Sequence, residues 1–483
     1  MTSSVREQTV NKRRGDKQSE GKSKSKSHGL ADEADHTDDA GNQSNDHYKA
    51  RLSPFRYSLR SKLLPIIRAE SSYLYSLQTK LRHPILDFYF AWTANLASHT
   101  FYVLMLPPPI WFGASDLSRD LVYVLGLGIY FTGFLKDFFC LPRPRSPPLR
   151  RITMSSYTTQ EYGFPSSHSA NATAVTLVLI SRLVNLDISR GEYWALMSGL
   201  ILYYFSLIFG RLYCGMHGFL DIFIGSSVGA SLFAFRHYWG KQWDEFLFNN
   251  ALGAIPSAII IIALFMSFIH VHSEPVDNCP CFDDSVAFIG VLIGLDLSHL
   301  VAFKTQYLAN LNLHKDPFLL PFDSSQSPWK TVVRFILGVT LVVIWKTISK
   351  PVIFTILPPI YKFIGVNLPR KNFIATAHTK APTRAIRSAS ISNETGEIGD
   401  INTFIKGITA HNQRDEVGPS TEIDYFEMLD YNKEHHLQEK VEEVAGVFKP
   451  RYDVEIIGRV IVYAGVSTTA VWGLFMATQY VPV

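Results

Sequence analysis

Three short clusters of polar residues in this chain carry the side-chain types that phosphoryl transfer requires. They are Lys136 to Arg143-Pro144, Pro165-Ser166-Ser167-His168, and Arg211 to His217 and Asp221. Each cluster alone has an ordinary structural explanation. A single Lys or Arg can flank a membrane segment, a Ser before an apolar run can be a helix cap, and a lone His–Asp pair is more often structural than catalytic. Chemistry is indicated only if the three clusters meet.

The order of the apolar segments predicts that they do meet. The first two clusters lie in one loop between such segments, and the third follows two further segments, so all three face the same side of a membrane. Together they offer arginines, a lysine, two histidines, a carboxylate, and serines at a helix N-terminus, where free N–H groups favour an anion. Arginine presents a planar fork of donors to phosphate oxygens, and lysine adds a point charge. This set can bind and transfer a phosphoryl group.

The spacing of the clusters resembles the type 2 phosphatidic acid phosphatase superfamily. Its signature is Lys, six residues and Arg-Pro; then Pro-Ser-Gly-His; then Ser-Arg, five residues, His, three residues and Asp. The first and third clusters keep this spacing, while Ser167 replaces the Gly of the second motif and Gly210 the Ser of the third. Neither position carries a catalytic side chain in the family scheme. The Pro-Ser-Ser-His form, with Arg-Pro-Arg-Ser-Pro-Pro from Arg143 to Pro148, resembles the branch that dephosphorylates sphingoid base 1-phosphates in the endoplasmic reticulum.

The resemblance implies a covalent route through a phosphohistidine. The nucleophile would be a neutral imidazole nitrogen of His217, with Asp221 holding the proton on the other nitrogen and stabilising the charge that develops. His168 would protonate the departing alkoxide and later activate water. The expected phosphate-binding residues are Lys136, Arg143, Ser166, Ser167 and Arg211. No metal or other cofactor is expected, because the positive side chains take the role that Mg²⁺ has in many phosphoryl-transfer enzymes.

Two other functions fit parts of the sequence. A broad-specificity lipid phosphate phosphatase acting on phosphatidate would use the same signature, and fold-level analogy does not choose the leaving group. A non-enzymatic transporter or scaffold would scatter functional charges at midplane depth, whereas this chain gathers most of them at one face. The many apolar segments favour a lipid phosphate substrate over a sugar phosphate.

The elements that must position these residues are membrane helices. The average composition, 47% hydrophobic residues with a formal net charge of +4, hides a separation into very polar and very apolar stretches. From about Asp87 onward, apolar windows recur near the roughly 20-residue length that spans a hydrocarbon core. We therefore expect an all-α polytopic membrane bundle of about 8 to 10 spans. The small net charge argues against a nucleic-acid partner.

The expected spans follow the apolar windows. They are Leu86–Phe112, Leu121–Phe139, His168–Val184, Trp194–Phe209, Phe219–Phe235, Ala251–Ile269, Val286–Phe303, Val332–Ile348, a short ninth at Val352–Val366, and a last at Val454–Val481. Prolines 107–109 and 358–359 should kink or end the helices that contain them.

The expected organisation has six parts. They are a disordered polar tail at 1–47, a basic juxtamembrane segment at 48–84, the catalytic core at 85–305, additional spans at 306–368, a polar mobile loop at 369–452, and a C-terminal helix at 453–483. The tail and the loop are too poor in apolar residues to offset the entropy of ordering. The segment 48–84 fits either an amphipathic element at an anionic membrane surface or a solvated linker.

Several polar residues outside the clusters allow narrower hypotheses. Asp296 and His299 lie inside an apolar window, and Asp296 could contact the amine of a sphingoid base, although an interhelical contact is the simpler interpretation. A Cys140–Cys214 disulfide is conceivable, whereas Cys279 and Cys281 are too close in sequence for an easy mutual bridge. If the ninth span exists, the glycosylation sequon at Asn393 lies on the face opposite the site.

Orientation is the point on which the sequence signals disagree. The basic N-terminal region favours a cytosolic start, and two spans would return the site to the cytosol. The family resemblance implies instead a multi-pass protein of the endoplasmic reticulum membrane with its site in the lumen, and four cysteines counted to the site face suit an oxidising compartment. We expect the lumenal arrangement.

Overall fold

Every regular element that the structure describes is a helix. The computed structural model describes residues 39–154, 160–249, 252–277, 279–304, 322, 327–364 and 452–478. The helices are α1 Asn45–Arg51, α2 Pro54–Leu81, α3 Pro84–Thr93, α4 His99–Met105, α5 Pro108–Trp111, α6 Ser115–Phe139, α7 Ser167–Leu183, α8 Arg190–Tyr213, α9 Phe219–Asn249, α10 Ala254–Val271, α11 Cys281–Lys304, α12 Pro328–Ile364, α13 Val454–Thr468 and α14 Leu474–Thr478. A 3-10 turn, Ala94–Ala97, lies between α3 and α4, and a π-helical turn, Thr469–Gly473, joins α13 to α14.

Seven elements of the described chain are long and apolar enough to cross a membrane. They are α6, α8, α9, α10, α11, α12 and the continuous stretch from α13 through α14. Helices α6 and α11 are the most buried of these, so they form the centre of the bundle. Helix α7 has 17 residues and packs against α6, α8 and α9. The expectation of an all-α polytopic bundle is confirmed.

The first apolar window is broken as its prolines predict. It is divided among α3, the 3-10 turn, α4 and α5, and α4 ends at Met105, just before Pro107 to Pro109. Proline lacks the N–H that would continue the hydrogen-bond ladder. The last part of the broken segment, α5, packs inside the protein, because the indole of Trp111 is buried and donates to the carbonyl of Ala470 at 2.9 Å.

The predicted eighth and ninth spans are one helix, so the expectation of a separate short span is wrong. Helix α12 runs through Pro351, Pro358 and Pro359 without ending. Apolar helices tolerate internal proline when neighbouring groups compensate for the lost hydrogen bond. At its end, Tyr361 donates to the carbonyl of Tyr452 at 2.8 Å, so the residues that flank 365–451 adjoin each other.

The end of α12 lies at the same end of the bundle as the three polar clusters. Tyr452 also contacts Nδ1 of His270, in the last turn of α10, at 2.8 Å. Helix α10 ends beside α6, because the ring of His272 packs edge-on against Phe134. Both flanks of 365–451 therefore lie on the site face. The opposite face was expected only if a separate ninth span existed, and α12 replaces that span. The sequon at Asn393 itself lies outside the described residues.

The basic segment 48–84 forms α2, which lies across the site end of the bundle. Arg56 donates to the carbonyls of Asp137 at 2.6 Å and Phe138 at 2.9 Å, and Arg60 donates to that of Cys140 at 3.2 Å. The last carbonyls of a helix have no partner within it, and guanidinium donors satisfy them. Arg56 and Arg60 therefore lie at the same end of the bundle as the polar clusters. Residues 1–38 lie outside the described residues, and α1 begins at Asn45, inside the predicted tail.

A buried charge network lies near the opposite end of the bundle. Arg119 contacts Asp296 and Asp244 at 2.8 Å each and Nδ1 of His299 at 2.9 Å, while the Tyr123 hydroxyl donates to Asp296 at 2.5 Å. Arg119 precedes Lys136 on α6 by 17 residues, roughly 25 Å at the helical rise. The hypothesis that Asp296 contacts the substrate amine is therefore wrong, and the interhelical interpretation is correct.

Removing the centre of this network should destabilise the protein. In Arg119→Met, Asp296 and Asp244 lose their shared cation, and breaking a buried ion pair on one side costs about 3–5 kcal/mol. We expect a lower melting temperature in detergent, measured by loss of the monodisperse peak after heating. Arg190→Met, at an exposed position of α8, is the matched control. Equal melting temperatures for the two variants would show that the network contributes little.

Candidate active site

Four helix ends bring the three clusters together. Lys136 lies in the last turn of α6 and Arg211 in the last turn of α8, while Ser167 begins α7 and Asp221 lies in the first turn of α9. Because the helices alternate in direction, the ends of α6 and α8 lie beside the starts of α7 and α9. Contacts between the clusters confirm the meeting: the Ser166 amide donates to the Asp221 carbonyl at 3.0 Å.

A tight turn after α8 positions His217. Gly215 has φ +65°, a left-handed conformation that glycine adopts without strain. A Cβ at this position would lie 3.0 Å from the carbonyl oxygen of Arg150. The preceding carbonyl, of Cys214, accepts from the Ile152 amide at 3.0 Å. The turn therefore holds His217 against the loop that carries Arg143, with only 2% of its surface exposed.

The contacts of His217 define which nitrogen carries the proton. Nδ1 lies 2.8 Å from the carbonyl oxygen of Gly163, which can only accept, so Nδ1 is the donor. Nε2 lies 3.2 Å from Nη1 of Arg143, which can only donate, so Nε2 presents its lone pair. A lone pair on Nε2, directed at a cation that can hold phosphate, is the arrangement that a nucleophile requires.

Asp221 lies beside His217, but it is not the nearest acceptor for the imidazole proton. Its Oδ2 is 3.7 Å from Nδ1 of His217, farther than the Gly163 oxygen, and it accepts from the Gly218 amide at 2.7 Å. A carboxylate in the first turn of a helix commonly binds the free amides there. The closest acceptor for the Nδ1 proton is thus a backbone carbonyl that the sequence did not indicate, with the Asp221 carboxyl farther away.

The surroundings of His217 keep the imidazole neutral. Burial lowers the pKa of His217 well below its ordinary value, and the positive charges of Arg143, Lys136 and Arg211 lower it further. A protonated imidazole has no lone pair for attack, so a depressed pKa favours the reactive form at neutral pH.

Arg143 is fixed by backbone carbonyls. Its Nε donates to the carbonyl of Glu161 at 3.1 Å and its Nη1 to that of Met216 at 3.0 Å. Burial lowers the pKa of Arg143 to about 10, with the Glu161 carboxylate opposing the shift, so the guanidinium is still positive at neutral pH. Arg143 therefore offers a rigid, charged fork beside Nε2 of His217.

Glu161 is a site residue that the sequence did not indicate. Its carboxylate accepts from Nζ of Lys136 and lies 3.7 Å from Nη2 of Arg143. A negative carboxylate repels phosphate, so the charge of Glu161 argues against a place in a phosphate site when the sequence alone is considered. The one available signal is its place directly before Tyr162-Gly-Phe-Pro. Two of the predicted phosphate-binding cations are thus paired with an acid of the protein itself.

The two serines at the start of α7 differ in their contacts. Ser166 is the N-cap, and its buried hydroxyl accepts from the Ser169 amide at 3.3 Å. Ser167 Oγ instead accepts from Nζ of Lys136 at 3.2 Å, although its position holds Gly in the general family motif. The plain helix-cap interpretation therefore describes the Ser166 hydroxyl, whereas the Ser167 hydroxyl belongs to the cation cluster.

A cleft opens between these helix ends. Its polar lining includes Lys136, Glu161, Ser167, His168, Arg211 and Asp284. Its apolar lining includes Ala91, Ala94 and Ala97, from α3 and the 3-10 turn, and Ile129 from α6. His217 and Arg143 are buried beside the cleft. The cleft can thus hold an anionic group against cations, with apolar surface from the broken first segment beside it.

Helix α2 braces the turn that holds His217. Glu70 Oε1 accepts from the Leu220 amide at 3.0 Å, at the start of α9, and Gln78 Nε2 donates to the Tyr213 carbonyl at 3.0 Å, at the end of α8. Burial raises the pKa of Glu70, while its hydrogen bonds from the α9 backbone oppose the rise. These contacts join residues that are far apart in the sequence, so no local pattern indicates them. The sequence predicted only a membrane-surface or linker segment for 48–84.

The cysteines differ from the expected pairing. Cys279 and Cys281 are joined to each other, and Cys140 and Cys214 are buried free thiols. The tight turn at Pro280 brings the two paired sulfurs together despite their short separation in sequence. The Asp137 carboxylate lies close to this pair, but the bonded sulfurs have no thiolate to offer a metal ion.

Comparison with known proteins agrees with the motifs and the geometry. The family model of the PAP2 superfamily matches residues 118–245. The chain is 44% identical over 330 residues to a dihydrosphingosine 1-phosphate phosphatase of Saccharomyces cerevisiae, covering 67% of this chain and 78% of the relative. It is 33% identical over 429 residues to a dihydrosphingosine 1-phosphate phosphatase of Schizosaccharomyces pombe, covering 88% and 90%.

More distant relatives extend the same group. The mouse sphingosine-1-phosphate phosphatase 2 is 25% identical over 286 residues, covering 58% of this chain and 77% of the relative. No solved structure matches the chain significantly. The chain belongs to the PAP2 superfamily, in the branch that contains the sphingosine-1-phosphate phosphatases. The family prediction from the three motifs is confirmed.

Proposed function

We propose that this chain hydrolyses sphingoid base 1-phosphates to the free base and phosphate, through a phosphohistidine at His217. The observation that carries the proposal is the 3.2 Å contact between Nε2 of His217 and Nη1 of Arg143, inside a cluster of cations that favours a neutral imidazole. The relatives named as dihydrosphingosine 1-phosphate phosphatases support the substrate class.

In the first step, the phosphate enters the cleft and its oxygens bind Lys136, Arg143 and Arg211. These charges neutralise the phosphoryl oxygens that would otherwise repel a nucleophile. Nε2 of His217 attacks phosphorus and the bond from phosphorus to the alkoxide oxygen breaks. Nδ1 keeps its proton, which remains hydrogen-bonded to the Gly163 carbonyl, and Asp221 stabilises the positive charge on the ring. His168, entering protonated, gives its proton to the alkoxide.

In the second step, water releases the phosphate. His168 is neutral after donating its proton, so it can remove a proton from a water molecule in the cleft. The hydroxide equivalent attacks phosphorus, the bond to Nε2 breaks, and His217 returns to its starting form. The free base and inorganic phosphate are the products, and one water molecule is consumed.

We place the protein in the endoplasmic reticulum membrane with the site facing the lumen. The bonded pair Cys279–Cys281 lies near the start of α11, at the site end, and suits an oxidising compartment. The opposing signal comes from basic residues near the N-terminus, but Arg56 and Arg60 are occupied by backbone carbonyls of α6 and its end. Their charges therefore have a structural role apart from setting orientation.

A substrate panel tests the proposed function. We expect purified protein in EDTA to release phosphate from dihydrosphingosine 1-phosphate at least tenfold faster than from phosphatidate or glucose 6-phosphate, at equal concentrations in mixed micelles. EDTA should change the rate less than twofold, because side-chain cations supply the charge that a metal would.

Each contrary outcome has a distinct meaning. Equal rates on phosphatidate would replace the sphingoid assignment with a broad lipid phosphate phosphatase. Release from none of the three substrates would contradict the enzymatic proposal and favour a transporter or scaffold. Activity that EDTA abolishes and a divalent cation restores would contradict the metal-independent scheme.

A further inference from the structure

The carboxylate of Glu161 occupies the position in which a substrate phosphate is expected. It accepts from Nζ of Lys136 and lies 3.7 Å from Nη2 of Arg143. The opposite nitrogen of the same guanidinium, Nη1, is 3.2 Å from Nε2 of His217. Arg143 thus lies between the nucleophile and Glu161. A phosphate that binds Lys136 and Arg143 must take the place of this carboxylate.

The displaced carboxylate remains at the cleft. Glu161 lines it together with Asp284, on the first turn of α11, and the side chain of Glu161 is 12% exposed. A carboxylate that loses its cations in a partly desolvated site is costly unless another cation replaces them. The backbone carbonyl of residue 161 holds Nε of Arg143 at 3.1 Å, so the residue cannot move far. Binding of the phosphate therefore leaves an acidic group beside it that needs a positive partner.

A sphingoid base 1-phosphate supplies that partner. Its ammonium is on the carbon next to the one that bears the phosphate ester, so it enters the cleft beside the phosphate. A phosphate of a simple alcohol, or phosphatidate, has no such cation. When the amine substrate binds, its phosphate pairs with Lys136 and Arg143 and its ammonium pairs with Glu161. An amine-free phosphate takes the two cations from Glu161 but brings no cation in exchange.

We propose that Glu161 determines specificity for the amine of the substrate. In the empty site it is the counter-ion of Lys136 and Arg143. When phosphate binds these two cations, the released carboxylate binds the substrate ammonium, in the cleft that Asp284 also lines from α11. This inference rests on the proposed function, because it names how the same site recognises its substrate class.

The test compares two substrates that differ only in the amine. One is dihydrosphingosine 1-phosphate, and the other is its analogue in which hydrogen replaces the amino group. In Glu161→Gln, kcat/KM for the amine substrate should fall and that for the analogue should rise, because the internal competitor is gone. We expect the wild-type preference to shrink by about tenfold, the effect of one ion pair of moderate strength. The backbone carbonyl that holds Arg143 is unchanged in this variant.

Two further variants keep the result interpretable. Glu161→Asp retains the charge on a shorter side chain and should keep part of the preference, which a merely structural role would not predict. Glu192→Gln removes a carboxylate from the exposed N-terminal turn of α8 and should leave both rates unchanged.

The outcomes separate this inference from the proposed function. Wild-type protein that hydrolyses neither substrate would contradict the proposed function itself. Wild-type protein that hydrolyses both equally well, or a preference that persists in Glu161→Gln, would overturn the role of Glu161 while leaving the phosphatase chemistry standing.

Discussion

Replacing His217 with alanine should reduce phosphate release from dihydrosphingosine 1-phosphate by on the order of 10⁴-fold or more, the effect of removing a nucleophile. The variant loses the nitrogen that attacks phosphorus. The Ser167 hydroxyl beside Lys136 is a much weaker nucleophile at neutral pH than a neutral imidazole. The substrate KM should change much less, because Lys136, Arg143 and Arg211 remain to bind phosphate. Steady-state kinetics in detergent, with the melting temperature measured in parallel, gives both quantities.

His237→Ala is the control for this prediction, because His237 is an exposed histidine in α9, far along the helix from Asp221. It should retain wild-type activity. If His217→Ala kept activity within tenfold of wild type while remaining folded, the attacking group would have to be sought elsewhere, with the Ser167 hydroxyl or a water molecule as the alternatives.

Replacing His168 with asparagine should slow turnover of the lipid substrate by roughly 10³-fold, within the range for loss of a general acid and base. The two steps should respond differently to the leaving group. With 4-nitrophenyl phosphate, departure needs no proton, so the first step should recover, but hydrolysis of the phosphohistidine still lacks its base. We expect a burst of one nitrophenolate per protein molecule followed by a slow steady rate, measured by stopped-flow absorbance.

Combining the variants provides the control for the burst. His217→Ala with His168→Asn should give no burst, because no phosphoenzyme can form. A His168→Asn protein that loses the same factor on both substrates, without a burst, would mean that His168 acts in binding or folding and not as the acid and base.

The parts of the site that were predictable from sequence are those that act through side chains at fixed spacing. Lys136, Arg143, His168, Arg211 and His217 reach one end of the bundle because each lies near the end of an apolar window, and such windows alternate in direction. Their meeting follows from topology alone. The proposed role of His217 as nucleophile is further supported by its burial and its neighbouring cations, which only the structure shows.

The parts that were missed act through the backbone, through distant segments, or against the expected sign of charge. The Gly163 carbonyl that binds Nδ1 of His217 has no side-chain signal at all. Glu70 reaches the start of α9 from a helix 150 residues earlier, and nothing local distinguishes it from the other charges of α2. Glu161 was not predicted, because an acidic residue is unfavourable in a phosphate site unless cations lie beside it, and only the structure shows those cations.

The fold was predictable in class and less so in its boundaries. The length of the apolar windows predicted the membrane helices, and Pro107 to Pro109 predicted the break in the first of them. The same reasoning failed at Pro351, Pro358 and Pro359, where α12 continues. Proline removes one hydrogen bond wherever it stands, but only the surrounding protein decides whether the helix ends. Whether a helix continues through a proline depends on tertiary contacts, and these cannot be predicted from a single sequence.

The most direct test of the account is to identify the atom that carries the phosphoryl group during turnover. Protein mixed with ³²P-labelled dihydrosphingosine 1-phosphate, quenched in alkali within milliseconds and digested, should yield one labelled peptide, with an alkali-stable and acid-labile phosphate on His217. The label should be absent from His217→Ala. In His168→Asn it should accumulate from ³²P-labelled 4-nitrophenyl phosphate, whose leaving group needs no proton. An unlabelled wild-type protein under conditions of rapid turnover, or a label on any other residue, would contradict the phosphohistidine route.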